Sequence, residues 1–167
     1  MTRHLESDVY DMSAAGEDAP SREMMSAFAR EVGCAIPEEF IAHSCGRFGG
    51  LCVEVKEALW PRAKPFDVGP SWSFCYGLYT FTLAPNAPDF MALRDQTLRF
   101  RERSAHSIVP CLKIFSGPHI YGFASSGELC RWDHEQDILA PYAGSFFDLL
   151  DEELAALAQR KNQKVTP

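Results

Sequence analysis

Six cysteines (Cys34, Cys45, Cys52, Cys75, Cys111 and Cys130) and five histidines are the side chains best able to do chemistry in this chain. Thiolates and imidazoles hold zinc when they come in two closely spaced pairs. No C-x-x-C pair occurs, and His43 beside Cys45 has no second ligand pair at zinc-like spacing. The cysteines lie mostly inside apolar stretches. They therefore read as reduced, buried small hydrophobes, with His43 a surface histidine and no metal or other cofactor expected.

Nucleophilic catalysis needs a Ser or Cys beside a histidine, and these can be distant in sequence. His106, His119 and His134 stand near predicted strand ends, where catalytic groups can sit. No G-x-S-x-G elbow is present and no cysteine carries a recognisable local signature, so no catalytic residue is assigned. Gly46-Arg47-Phe48-Gly49-Gly50 lacks the Lys-Ser/Thr ending of a phosphate loop and follows a helix instead of a strand; it reads as a helix stop and tight turn. Glu38-Glu39 suits the first turn of a helix, and Asp151-Glu152-Glu153 a solvated helical face. Arg94, Arg99, Arg101 and Arg103 form a further face, read as solvated or, alternatively, as an anion or partner patch.

The aromatic side chains point elsewhere. Trp60, Trp72 and Trp132, with Tyr76 and Tyr79, are residues of the kind that dominate interface hot spots, although the same types also fill cores. Trp60 and Trp132 lie near loops and are the stronger candidates for a binding face. The candidate partner-binding set is Trp60, Trp72, Tyr76, Trp132, Asp133 and His134.

Composition narrows the partner. Among 167 residues there are 16 basic and 23 acidic side chains, a formal net charge of -7, which disfavours nucleic acid and suits a basic protein. At 46% hydrophobic and 12% aromatic the chain can build one core without metal or disulfide staples. The first twenty residues contain no apolar h-region and no run approaches the roughly 18 apolar residues of a membrane span. A cytoplasmic protein with reduced thiols is expected.

The elements that must position these residues follow from periodicity. Residues 1–20 read as a flexible acidic tail, 21–160 as a single domain and 161–167 as a C-terminal tail. A helix runs from Ser21 to Gly33 with Met24, Phe28 and Val32 as its stripe and Met25 beside them. A shorter helix begins at Pro37, with Phe40 and Ile41 inward, and ends at Gly46. Leu51–Lys56 and Trp72–Leu83 read as β, separated by a proline-rich loop, and Gly77 marks a bulge or close backbone approach. A helix opened by Asn86-Ala87-Pro88 buries Phe90, Leu93, Thr97 and Phe100. Strands follow at Ile108–Phe115, with Pro110 near its start or on an edge, and at His119–Ala124 and Glu128–Asp133 around the Ser125-Ser126-Gly127 turn. Ser145 and Asp148 form a capping box opening a last helix with stripe Phe147, Leu150, Leu154 and Leu157. The fold class is α+β: a central, mainly antiparallel sheet with helices at the N-terminus, in the middle and at the C-terminus.

Four of these segments, in this order, resemble the SUKH superfamily. They are Ile36-Pro37-Glu38-Glu39-Phe40 leading to Cys45-Gly46-Arg47-Phe48-Gly49-Gly50, then Ile108-Val109-Pro110-Cys111-Leu112, then Tyr121 to Leu129, and finally Ala143-Gly144-Ser145-Phe146-Phe147-Asp148-Leu149-Leu150. The resemblance implies an α+β fold without catalytic residues, found in fungal cell-wall-synthesis regulators and in bacterial immunity proteins that bind toxins, often nucleases. It implies an immunity-type protein that neutralises a basic toxin domain by direct binding. The alternatives are a cytosolic regulatory scaffold with a host protein partner, or an enzyme or small-molecule binder built around the aromatic middle segment.

Overall fold

A computed structural model describes residues 6–64, 66–104, 106–133 and 135–165. Their seven strands form one antiparallel meander in sequence order: β1 (Tyr10–Ser13), β2 (Cys52–Val55), β3 (Gly77–Thr80), β4 (Ile108–Ile114), β5 (His119–Ala124), β6 (Leu129–Asp133) and β7 (Ile138–Pro141). The helices among the described residues are α1 (Arg22–Val32), α2 (Glu38–Ser44), α3 (Leu93–Arg103) and α4 (Phe146–Val165). This is the α+β arrangement expected from the alternation of apolar periods.

Cross-strand partners share a face, so the register defines two sides of the sheet. Thr80, Leu112 and Tyr121 fall in one row. That side is covered by α2 and α4: Phe40 packs on Phe123 and Phe146, and Tyr121 donates its hydroxyl to Glu153 at 2.8 Å. Cys52, Tyr79, Lys113, Ile120 and Trp132 form a row on the opposite side. There α3 covers only one end, with Phe100 packed edge-on against Trp132 and Phe81. The rest of that side is left to loops.

Local chemistry sets the boundaries. Ser21 accepts the Met24 N–H to start α1, and Gly33 ends it in the left-handed region at φ 61. The Ser145–Asp148 capping box forms in both directions, Ser145 N–H to the carboxylate at 3.0 Å and Asp148 N–H to the hydroxyl at 3.2 Å. In the 125–127 turn, Ala35 of the α1–α2 connection donates to the Ser125 carbonyl, and the Ala35 carbonyl approaches so closely that a Cβ on Gly127 would lie 2.4 Å from it.

Several expectations need correction. Residues 10–13, read as part of a mobile tail, are a strand with Val9 and Tyr10 buried beside Val55, and α4 runs on through residue 165. Strand β7 pairs with β6 where no strand is expected. The buried stripe of α1 is Met25, Phe28 and Val32, with Met24 exposed, and that of α4 begins at Phe146, leaving Phe147 exposed. Pro110 is the third residue of β4, near its start as expected, but that strand is interior and not an edge, and a bulge between Pro110 and Leu112 accommodates the missing N–H. Helix α3 starts at Leu93, so Phe90 precedes it.

Candidate protein-binding face

On the side that α3 leaves open, four aromatic rings lie in contact. Tyr76 stacks on Phe115 with centroids 5.3 Å apart and planes 8° from parallel. Phe115 meets Tyr79 at 5.0 Å and Phe90 at 5.9 Å, and Tyr79 meets Phe90 edge-on at 5.0 Å. Tyr79 is buried beneath, Tyr76 and Phe115 are half-buried, and Phe90 is 42% exposed.

Each ring is held by a different element. Tyr79 stands on β3, and Phe115 extends β4, donating its N–H to the Gly77 carbonyl at 2.9 Å. Gly77 is required there: a Cβ would lie 2.4 Å from the Val53 carbonyl and 3.0 Å from the Phe115 ring. The close backbone approach predicted for Gly77 is thus what lets Phe115 lie across the sheet. Phe90 is carried by residues 84–92, an excursion pinned at Thr82, which donates to the Met91 carbonyl at 3.0 Å and accepts from Leu93 at 2.8 Å. Gln96 of α3 also donates to the Asp89 carbonyl at 2.8 Å.

Arg62 closes one end of the stack. Its guanidinium lies 3.8 Å from the Tyr76 ring centroid, donates to the carbonyls of Trp60 (3.0 Å) and Val55 (2.9 Å), and sits 3.6 Å from Glu54. A cation committed to a ring, two carbonyls and a carboxylate is a clamp that fixes the stack in place. Burial, then the Glu54 carboxylate, push the Tyr76 phenol upward; burial pushes Tyr79 to about 12. The Cys52 thiol beside them rises to about 11 through burial and then Glu54, which suppresses the thiolate a nucleophile needs. Lys113, in the same row, has its pKa lowered by burial. The surface is apolar in character and poor in reactive groups.

The candidate residues taken from sequence scatter. Tyr76 belongs to the stack. Trp60 and Trp132, expected on a binding face, are 1% and 4% exposed. Both are core residues whose indole N–H groups are satisfied internally, by the Ser73 carbonyl at 3.0 Å and by Asp137 at 2.9 Å. Trp72 is half-buried in the 3-10 turn Ser71–Phe74, where it lines a shallow cleft with Pro61, Val68 and Phe74. Asp133 accepts the N–H groups of Glu135 and Gln136, ordering the turn after β6, and lies 3.9 Å from His119. His134 lies outside the described residues.

His43 is also a correction. It is 5% exposed, with its Nε2 3.0 Å from the Thr80 hydroxyl, whose oxygen accepts the Leu51 N–H. Burial drops its pKa to about 4, so the ring is neutral inside a cage of Phe40 and Phe146. Ser104, His106 and Asp137 do converge, but the Ser104 hydroxyl donates to Asp137 at 2.8 Å and accepts the His106 N–H, while His106 Nε2 meets the Asp137 carbonyl at 3.1 Å. Hydroxyl and imidazole are not paired as a nucleophile and its base; the cluster ties the end of α3 to the β6–β7 loop. Among the described residues no group of three or more His, Cys, Asp and Glu side chains is arranged to hold a metal ion.

Phe90 and Phe115 escaped the sequence reading as surface residues. Helical phase places Phe90 inward only if the helix begins at Asn86, whereas Met91 N–H closes a turn on the Pro88 carbonyl at 2.8 Å. The Ala87-Pro88-Asp89 turn chemistry was the available signal. No helix among the described residues is long and apolar enough to cross a membrane. Comparisons with protein-family models, curated proteins and solved structures find no match.

Proposed function

We propose that this chain is a non-catalytic protein-binding module of SUKH type, a cytoplasmic immunity protein that neutralises a basic toxin domain by covering it. The observation that carries the binding reading is the Tyr76–Phe115–Phe90 stack, which is fixed from beneath by Tyr79 and open to solvent at Phe90. Pre-ordered aromatic rings offer contact area at little entropic cost when a partner arrives. The net charge of -7 favours a basic partner and a fast, salt-sensitive association. The toxin class comes from the resemblance of the Ile36–Gly50, Ile108–Leu112, Tyr121–Leu129 and Ala143–Leu150 segments, which coincide with α2, β4, the β5–β6 hairpin and the start of α4.

Tagged protein passed through a lysate of its source cells, at low and at high salt, tests this. The expected result is retention at low salt of one basic protein whose toxicity the chain relieves without turnover. Retention of a housekeeping protein instead would move the chain to the regulatory-scaffold reading, and the absence of any protein partner would contradict both.

A further inference from the structure

We infer that the outer edge of β1 is a strand-addition site for an extended, lysine- or arginine-bearing segment of the partner protein. The inference rests on the protein-binding reading above and specifies how the partner engages.

The hydrogen-bond alternation of the sheet shows which groups are open. Val55 donates to Tyr76 and Thr80 to Leu51, so the odd-numbered residues of β2 face β3. Lys56 donates to the Val9 carbonyl and Asp11 pairs with Glu54, so the odd-numbered residues of β1 face β2. The backbone groups of Met12, together with the Tyr10 carbonyl and the Ala14 N–H, therefore point away from the sheet, and none of them has a partner among the described residues. Met12 is 51% exposed. The opposite edge is blunted: outward-facing Pro141 has no N–H, and the Asp137 carbonyl before β7 is taken by His106. One edge of this sheet is protected and the other is a template.

Charge selects the occupant. Residues 6–18 carry Glu6, Asp8, Asp11, Glu17 and Asp18, all exposed, and no lysine or arginine. Two copies of this chain joined edge to edge would bring these acidic segments together, so a second copy is disfavoured. An added strand with basic residues at alternate positions would set one of them beside Asp11, which shares its face with Glu54 one strand further in. Asp11, Glu54 and Gly77 form a row that leads across β2 and β3 to Phe115, so the added strand and the aromatic stack lie along one face with β1 and β2 between them. Main-chain bonds supply affinity in this mode, and alternate side chains supply specificity.

The test uses the full chain and a peptide of alternating lysine and valine, with an alternating glutamate–valine peptide as control. The lysine peptide is expected to slow hydrogen exchange at the Met12 and Ala14 amides by at least about tenfold at low salt, with the glutamate peptide inert. Met12→Pro, which deletes the outward N–H, should weaken binding by about tenfold or more. Asp11→Lys should shift preference towards the glutamate peptide, and it keeps the test decisive should the proline variant fail to fold. Equal binding of both peptides, protection away from β1, or protection of Met12 by dimerisation without peptide would each overturn the proposal. If the native partner binds Met12→Pro normally but is lost on Phe90→Ala, strand addition fails while the aromatic face stands.

Discussion

At the scale of single residues, the side chains that appear reactive serve as structure, and those that appear structural form the surface. His43 spends its imidazole on Thr80 inside an aromatic cage. Its folded pKa of about 4 lies below the ordinary 6.5, so the folded state favours the neutral ring. The stability this contributes is fully present above pH 6.5 and is lost as the pH falls towards 4, by about 3 kcal/mol across that window. Urea midpoints measured against pH should therefore fall more steeply for the native chain than for His43→Gln; parallel curves would place the acid sensitivity elsewhere. Phe90 is the converse case. Because it is 42% exposed, Phe90→Ala should cost only about 1 kcal/mol in stability while weakening partner binding by about tenfold or more, read from denaturation and titration of the same preparations. Sequence pointed to Trp60 and Trp132 instead, since residue type alone does not say which side of a sheet an indole occupies.

At the scale of elements, two junctions carry the arrangement. Ser145→Ala removes the hydroxyl that caps α4 and should lower stability by about 1 kcal/mol while leaving the stack intact. Gly77→Ala should cost about 2–3 kcal/mol, because its Cβ meets backbone of the neighbouring strand, and should displace Phe115, visible as changed aromatic ring contacts in NMR spectra. The elements governed by local signals were legible: the caps of α1 and α4, strand β5 with its bounds, and the turn at Ser125-Ser126-Gly127. Strands β1 and β7 were not. They are sheet edges, with little apolar alternation between them: Tyr10 alone is buried in β1, and no residue of β7 is fully buried. What makes them strands is a neighbour, β2 or β6, supplied from elsewhere in the chain. The start of α3 was misplaced for a different reason: helical phase fitted Phe90, whereas the Pro88–Met91 turn and the Thr82 bonds to Met91 and Leu93 hold residues 84–92 off the helix.

At the scale of the molecule, an acidic α+β domain presents a sheet that is covered on one side and half-covered on the other. Its thiols lie within or against that core: burial pushes Cys34 and Cys52 to about 11 and Cys111 well above its ordinary value. The native chain should therefore react slowly with a thiol reagent near pH 8, Cys111 last, and all six cysteines should react once it is unfolded; rapid native labelling of Cys111 would contradict this packing. The alternation of periods made the layer class readable, but the open side depends on where α3 stops along the sheet, a tertiary fact. The central claim is that this open aromatic side is where a protein partner sits. Its most direct measurement is the affinity of the captured partner for the native chain and for a Phe90→Ala, Phe115→Ser double variant shown by circular dichroism to be folded. A loss of a hundredfold or more, about 3 kcal/mol, is the predicted result. Equal affinity for both proteins would contradict the account.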